Sequence, residues 1–343
     1  IYTSNIVAAS DVYKRQVLSC VNLSVFFKML NRRHIRLKIM QYLYALEISD
    51  FEDTKEHHKN LLSGIESIHD LFLLQISFLI QIFNKAKSAY SISKASISGN
   101  VSLKYSNERF SKNIFLDLIT KNSKIISLIN SRKFIDWEID FKYVNLIYND
   151  LVNSETFNDY INSDEKSYES DKKLVYNLCK EVIIPNGKFQ EFLEEKNIFW
   201  MDDFPLVNTM LLKYIKKSSI KSIDKDFYFE LYTNVSDKKY TDDLANFSIR
   251  NFKNNNDLIN KYVSNWDIDR IAKIDLVILN LAITEIREFK LIPVKVSLNE
   301  YIEISKDYST EKSSFFINGV LDKYIKDLLE NNSLIKEGRG LRE

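Results

Sequence analysis

The residues best suited to chemistry lie near one end of the chain, at the head of a helical stretch. MLNRRHIRLKIMQYLYALE, from Met29, carries Arg32, Arg33 and Arg36, with no acid between Met29 and Glu47. At about 100° per residue the three arginines share one flank of a helix, and Lys38 falls elsewhere. A guanidinium offers paired donors to an anion, so such a cluster suits phosphate oxygens. A solvated basic face at a helix end is the other reading.

Other chemistry is thin. His57, His58 and His69 lack metal-ligand spacing and read as a solvated helix surface. Glu194–Glu195 and Asp202–Asp203 sit in polar runs without a base or nucleophile beside them. Glycine-rich phosphate loops are missing. Cys20 and Cys179 match no metal spacing and form no disulfide framework. Catalysis, cofactors and metals are therefore not expected, and a reducing cytoplasm is the expected compartment.

The elements that must position the arginines are helical. The chain has 343 residues, 45% hydrophobic and 28% charged, with only 6 Gly and 3 Pro, too few breakers for a turn-rich β fold. Net charge is +1, so any nucleic-acid site must be local. Ile35, Ile39, Tyr42, Leu43 and Leu46 form a stripe of helical period in the first helix. Near the other end, Ile271, Ile274, Val277, Ile278, Leu281 and Ile286 mark an amphipathic helix ending before Pro293. Val296, Leu298, Tyr301, Ile302 and Ile304 mark the next, and Phe315, Phe316, Val320, Leu321 and Ile325 the last. The apolar run Leu71–Phe83 is too short to span a bilayer and reads as a buried core helix, so no membrane association is expected.

Residues 1–28 differ from the rest. Lys14–Arg15 precedes an apolar stretch, but the order and the lack of a small-residue cleavage site argue against a signal peptide. The hexapeptide Asp11–Gln16 (DVYKRQ) is what the end of a common sequencing-library transposon encodes. The segment is expected to be foreign to the natural chain, or a dispensable extension, with Met29 as the native start.

The tryptophans Trp137, Trp200 and Trp266 are each followed three residues later by an aspartate, Asp140, Asp203 and Asp269. Their spacing, near 65 residues, reads as duplicated helical units or as coincidence. In either case the aspartates are expected to cap helices and the tryptophans to anchor the core.

Three blocks, in order, resemble the NusB family: NRRHIRLKIMQYLYALE, WDIDRIAKIDLVILNLAITEI and IPVKVSLNEYIEISKDYSTEKSSFFINGVLDK. The middle of the chain looks like the long Bacteroidetes-type form. The resemblance implies an all-α helical bundle of NusB type with a large helical insertion. After the extension at 1–28 come arginine-rich helices at 29–90, an inserted helical region at 91–260, C-terminal helices at 261–330 and a polar tail at 331–343. It further implies a transcription antitermination factor that binds boxA-like RNA of nascent transcripts with NusE, a small-subunit ribosomal protein, in the RNA polymerase antitermination complex. On this resemblance Arg32, Arg33 and Arg36 match the RNA-binding arginines, and His34 stands where some members carry another. Phe316 matches an aromatic beside the RNA path, or packs in the core. Lys312 and Ser314 occupy positions that are often acidic and basic respectively, and Lys312 is counted with the RNA-binding residues. The alternatives are a NusB-like targeting domain of an rRNA methyltransferase, or a helical protein-interaction scaffold without RNA contact.

Overall fold

The computed structural model describes residues 28–52, 54–95, 107–220, 230–232, 235–263 and 271–341. Residues 1–27, Trp266 and Asp269 therefore lie outside the described residues. What is described is all-α apart from two three-residue strands, β1 (Lys28–Leu30) and β2 (Glu230–Tyr232), paired in parallel. The chain divides into two compact units, residues 66–229 and residues 28–65 with 230–343.

The second unit holds the arginine-bearing helix α1 (Arg32–Ile48) and the start of α2 (Thr54–Ala95). Asn31 caps α1: its side chain accepts the His34 amide while the His34 ring faces the Asn31 N–H, a reciprocal capping box. His34, expected in place of a phosphate-binding arginine, thus serves the helix end. The expected stripe of α1 is buried throughout.

The first unit takes the rest of α2 and the short helices α3 (Glu108–Ser111), α4 (Ile114–Lys121), α5 (Ser123–Asn130), α6 (Trp137–Val152), α7 (Glu155–Asn162), α8 (Tyr168–Leu178), α9 (Gly187–Lys196) and α10 (Trp200–Lys217). With few Gly and Pro, the chain punctuates these helices with small polar caps. Asn107, Asn113, Asn122, Asp136, Ser154, Ser167 and Asn186 each accept an otherwise orphan amide. Leu71–Phe83 of α2 is buried apart from Gln81, as expected of a core helix. By length and composition α2 could cross a membrane, and 72% of its apolar window is buried within the protein.

Trp137 and Trp200 both open helices and both anchor on α2. The Trp137 indole donates to Ser77 Oγ at 2.7 Å, and the Trp200 indole to Ser67 O and Oγ at 3.1 Å. Trp137 also joins Phe78 and Phe192 in a ring cluster. The aspartates depart from the expected caps. Asp136 caps α6, while Asp140 is buried in its first turn and paired with Lys196 at 2.6 Å. α10 has no side-chain cap, and Asp203 is buried within its first turn. The histidines depart from the solvated reading too. Half-buried His69 faces Arg132, where burial and that charge lower its pKa, and His57 meets Ser49 at 3.3 Å.

The second unit resumes with α11 (Val235–Tyr262), α12 (Lys273–Glu288), α13 (Val294–Tyr308) and α14 (Glu311–Glu330), and closes in a 3-10 turn at Gly338–Leu341. α12 is central, touching α1, α11, α13 and α14. It was expected to be amphipathic, yet Val277–Ile286 is buried without a break. A helix buried all round must satisfy its polar groups internally. Asn280 does so by bonding the Phe252 carbonyl and Asn256, and by receiving Asn255. The last two stripes also shift. Val296 is exposed on α13, where Ser297, Tyr301, Ile304 and Ser305 are buried. Phe315 is 80% exposed on α14, while Ser313, Ser314, Ile317 and Tyr324 are buried.

Candidate nucleic-acid interface

The three arginines of α1 stand at the wall of a groove of about 710 Å³ in the second unit. Opposite them run the Leu291–Pro293 turn and the first turns of α13, with Lys295, Asn299 and Glu300, and the tail adds Arg339. The arginines do not share one environment. Arg36 is 3% exposed and grips Glu285 of α12 with two parallel bonds, Nε to Oε2 and Nη2 to Oε1, both 2.8 Å. Its guanidinium also faces the rings of Tyr240 and Tyr301 at 5.8 Å.

Glu285 is saturated. Besides Arg36 it accepts Ser297 Oγ at 2.6 Å, Tyr301 OH at 3.2 Å and the hydroxyl of Tyr240. Full burial works to raise its pKa, but the Arg36 charge and these donors outweigh burial and hold the carboxyl below its ordinary value. Burial, together with the same carboxylate, pushes the Tyr240 and Tyr301 hydroxyls well up. Arg36 therefore ties α1 to α11, α12 and α13 through one buried acid.

Arg32 and Arg33 face outward, with side chains 40% and 30% exposed. Arg32 pairs with Asp237 at 3.1 Å and lies over the Tyr240 ring at 4.9 Å. Arg33 pairs with Asp307 at 2.9 Å and approaches Glu300 at 3.9 Å. The expectation of arginines without an acid to neutralise them does not hold. The acids come from positions 205–274 residues away in the chain, beyond any local reading. Lys295 and Arg339 line the same groove, are exposed, and have no acid partner among the described residues. Sequence reasoning missed both, together with Glu285. The signal for Glu285 was an acid inside the apolar run Leu276–Ile286, which demands a buried partner.

Lys312 and Phe316 stand on α14 and do not line the groove. The start of α14 is pinned to α12 because Ser309 and Ser313 donate to Asp275 at 2.7 and 2.8 Å. Lys312 is exposed and Phe316 half-buried, beside the exposed Phe315. This surface carries the Lys312 ammonium near the exposed Phe315 ring. The described residues include no group of His, Cys, Asp or Glu able to hold a metal.

The NusB family model matches residues 206–326. The chain is 41% identical over 106 residues to the transcription antitermination protein NusB of Salinibacter ruber, covering 31% of this chain and 66% of that protein. It is 35% identical over 128 residues to the NusB of Chloroherpeton thalassium, covering 37% and 61% respectively. Against the NusB of Alkaliphilus oremlandii it is 39% identical over 98 residues, covering 29% of this chain and 71% of that protein. No solved structure gives a significant match.

Proposed function

The chain belongs to the NusB family, and from that premise we propose that it is a transcription antitermination factor that binds boxA-like RNA of nascent transcripts together with NusE, as part of the RNA polymerase antitermination complex. The observation that carries this reading is the groove at the head of α1. Arg32, Arg33, Lys295 and Arg339 all line it, and Glu300 is the acid in its lining. Phosphate oxygens suit these donors, and a single strand leaving the groove can use Lys312 and Phe316 on α14. Arg36 has a different part. Its donors are spent on Glu285 and, at 3.4 Å, on Glu300, so it positions α1 and leaves the phosphate contacts to Arg32 and Arg33.

The ion pairing of all three arginines favours one competing reading, a helical scaffold that touches protein alone. A targeting domain of an rRNA methyltransferase has less behind it, since no α/β domain occurs among the described residues. Titration of a labelled boxA-like RNA, with and without NusE and at several salt concentrations, tests the proposal. Binding that weakens steeply with salt and tightens with NusE is the expected result. Failure to bind RNA under either condition, with NusE captured alone, would favour the scaffold.

A further inference from the structure

The tail after α14 is built into the groove wall. Lys336 donates to the Ile286 and Phe289 carbonyls at 2.8 and 3.1 Å, placing a cation on the C-terminal end of α12, and burial there lowers its pKa. The Glu337 amide bonds the Lys290 carbonyl at 3.0 Å, and its carboxylate pairs with the Lys290 ammonium at 2.9 Å. Gly338 has φ +52°, in the left-handed region that glycine tolerates best. Gly340 is buried so tightly that a Cβ there would lie 1.9 Å from the Lys290 carbonyl oxygen. Arg339, between these two glycines, lines the groove with Arg32, Arg33 and Lys295.

We propose that this docked tail is part of the RNA site, and that Gly338 and Gly340 hold the backbone so that Arg339 takes a phosphate oxygen of the single strand. The inference rests on the RNA-binding reading above. Chemically Arg339 is the better phosphate ligand. Arg32 and Arg33 already share their donors with Asp237 and Asp307, and Arg339 has no such competitor among the described residues. Its paired N–H donors meet an anion without an ion pair being broken.

The test compares full-length parent, Arg339→Gln, Gly340→Ala and the charge control Lys253→Gln, whose exposed lysine on α11 does not line the groove. Each is titrated with boxA-like RNA across a salt series, and melting curves check the fold. Removing one phosphate contact from a single strand flattens the slope of log affinity against log salt by about 0.7. Arg339→Gln should show that loss. Gly340→Ala should show it as well, because it keeps the charge but undocks the tail, and hydrogen exchange at the Glu337 and Gly340 amides should accelerate. Lys253→Gln should keep the parent slope. The inference is overturned if either tail variant keeps the parent slope, or if Lys253→Gln loses as much. A parent protein that shows no salt-dependent RNA binding would instead sink the RNA-binding reading itself, before any variant is compared.

Discussion

Replacing Arg36 with Met should unfold the second unit far more readily than its surface position in the sequence suggests. The side chain is 3% exposed, and Glu285 behind it is fully buried. Met fills the aliphatic volume but removes both 2.8 Å bonds. Ser297, Tyr240 and Tyr301 still donate to the carboxylate, yet its charge is left without a counter-ion. Breaking one side of a buried pair typically costs about 3–5 kcal/mol. At about 2–4 °C per kcal/mol for a body of this size, the melting temperature of that unit should fall by roughly 6–20 °C. Glu285→Gln should fall less, because Arg36 keeps Glu300 at 3.4 Å and the hydroxyls that meet the amide N–H can turn to accept it. The double variant should lose clearly less than the sum of the two singles. The carboxyl also has a pH signature. Its folded pKa lies below the ordinary value, so its stabilisation is fully present above the ordinary carboxylate range. That stabilisation disappears as pH falls through the folded pKa. Differential scanning calorimetry of the parent and three variants from neutral to acid pH reads both effects. A parent-like melting temperature for Arg36→Met, or strict additivity in the double variant, would refute the argument.

Trp200→Phe should destabilise the first unit by about 1 kcal/mol in urea unfolding, because the half-buried Ser67 groups lose their indole donor. Asp136→Ala, removing the cap of α6, should cost about 1 kcal/mol in the same assay, more than the loss of the exposed Glu138 beside it. Phe315→Ala should leave stability within about 0.5 kcal/mol, since the ring is 80% exposed. Phe316→Ala should weaken RNA binding by about 1–3 kcal/mol with an unchanged salt slope, as expected of stacking without charge.

The helical class and the core stripe of α1 were legible in sequence because each depends on local periodicity. Ile35, Ile39 and Leu43 recur at the helical interval, and all are buried. What local reading missed was set by partners distant in sequence. Arg36 reads like any basic residue at a helix head until α12 supplies Glu285, 249 residues later. α12 itself reads as amphipathic because Asn280, Thr284 and Glu285 interrupt its apolar positions, yet each is satisfied inside the bundle. Phe315 fits an apolar stripe in the sequence, but Ser309 and Ser313 bind Asp275 and turn the serine side of α14 inward. Trp137 and Trp200 were readable as anchors, whereas the cap of α6 fell to Asp136 and not to Asp140. Spacing does not reveal which of two nearby aspartates precedes the first helical turn. The place of Arg339 depends on the packing of Gly340 against Lys290, which leaves no periodic trace.

The reading of the groove as an RNA site stands on Arg32 and Arg33, the two outward members of the arginine cluster. The Arg33–Asp307 pair is partly exposed and contributes little to stability, whereas Asp237 opposite Arg32 is buried, so Arg32→Ala with Arg33→Ala should cost some stability, and melting curves set the temperature at which the variant is compared folded. The most direct measurement is the salt dependence of this double variant's binding to boxA-like RNA, beside the parent. The slope of log affinity against log salt should flatten by about 1.4, two phosphate contacts at about 0.7 each. Parent-like affinity with parent-like salt dependence would contradict the assignment of this groove to RNA.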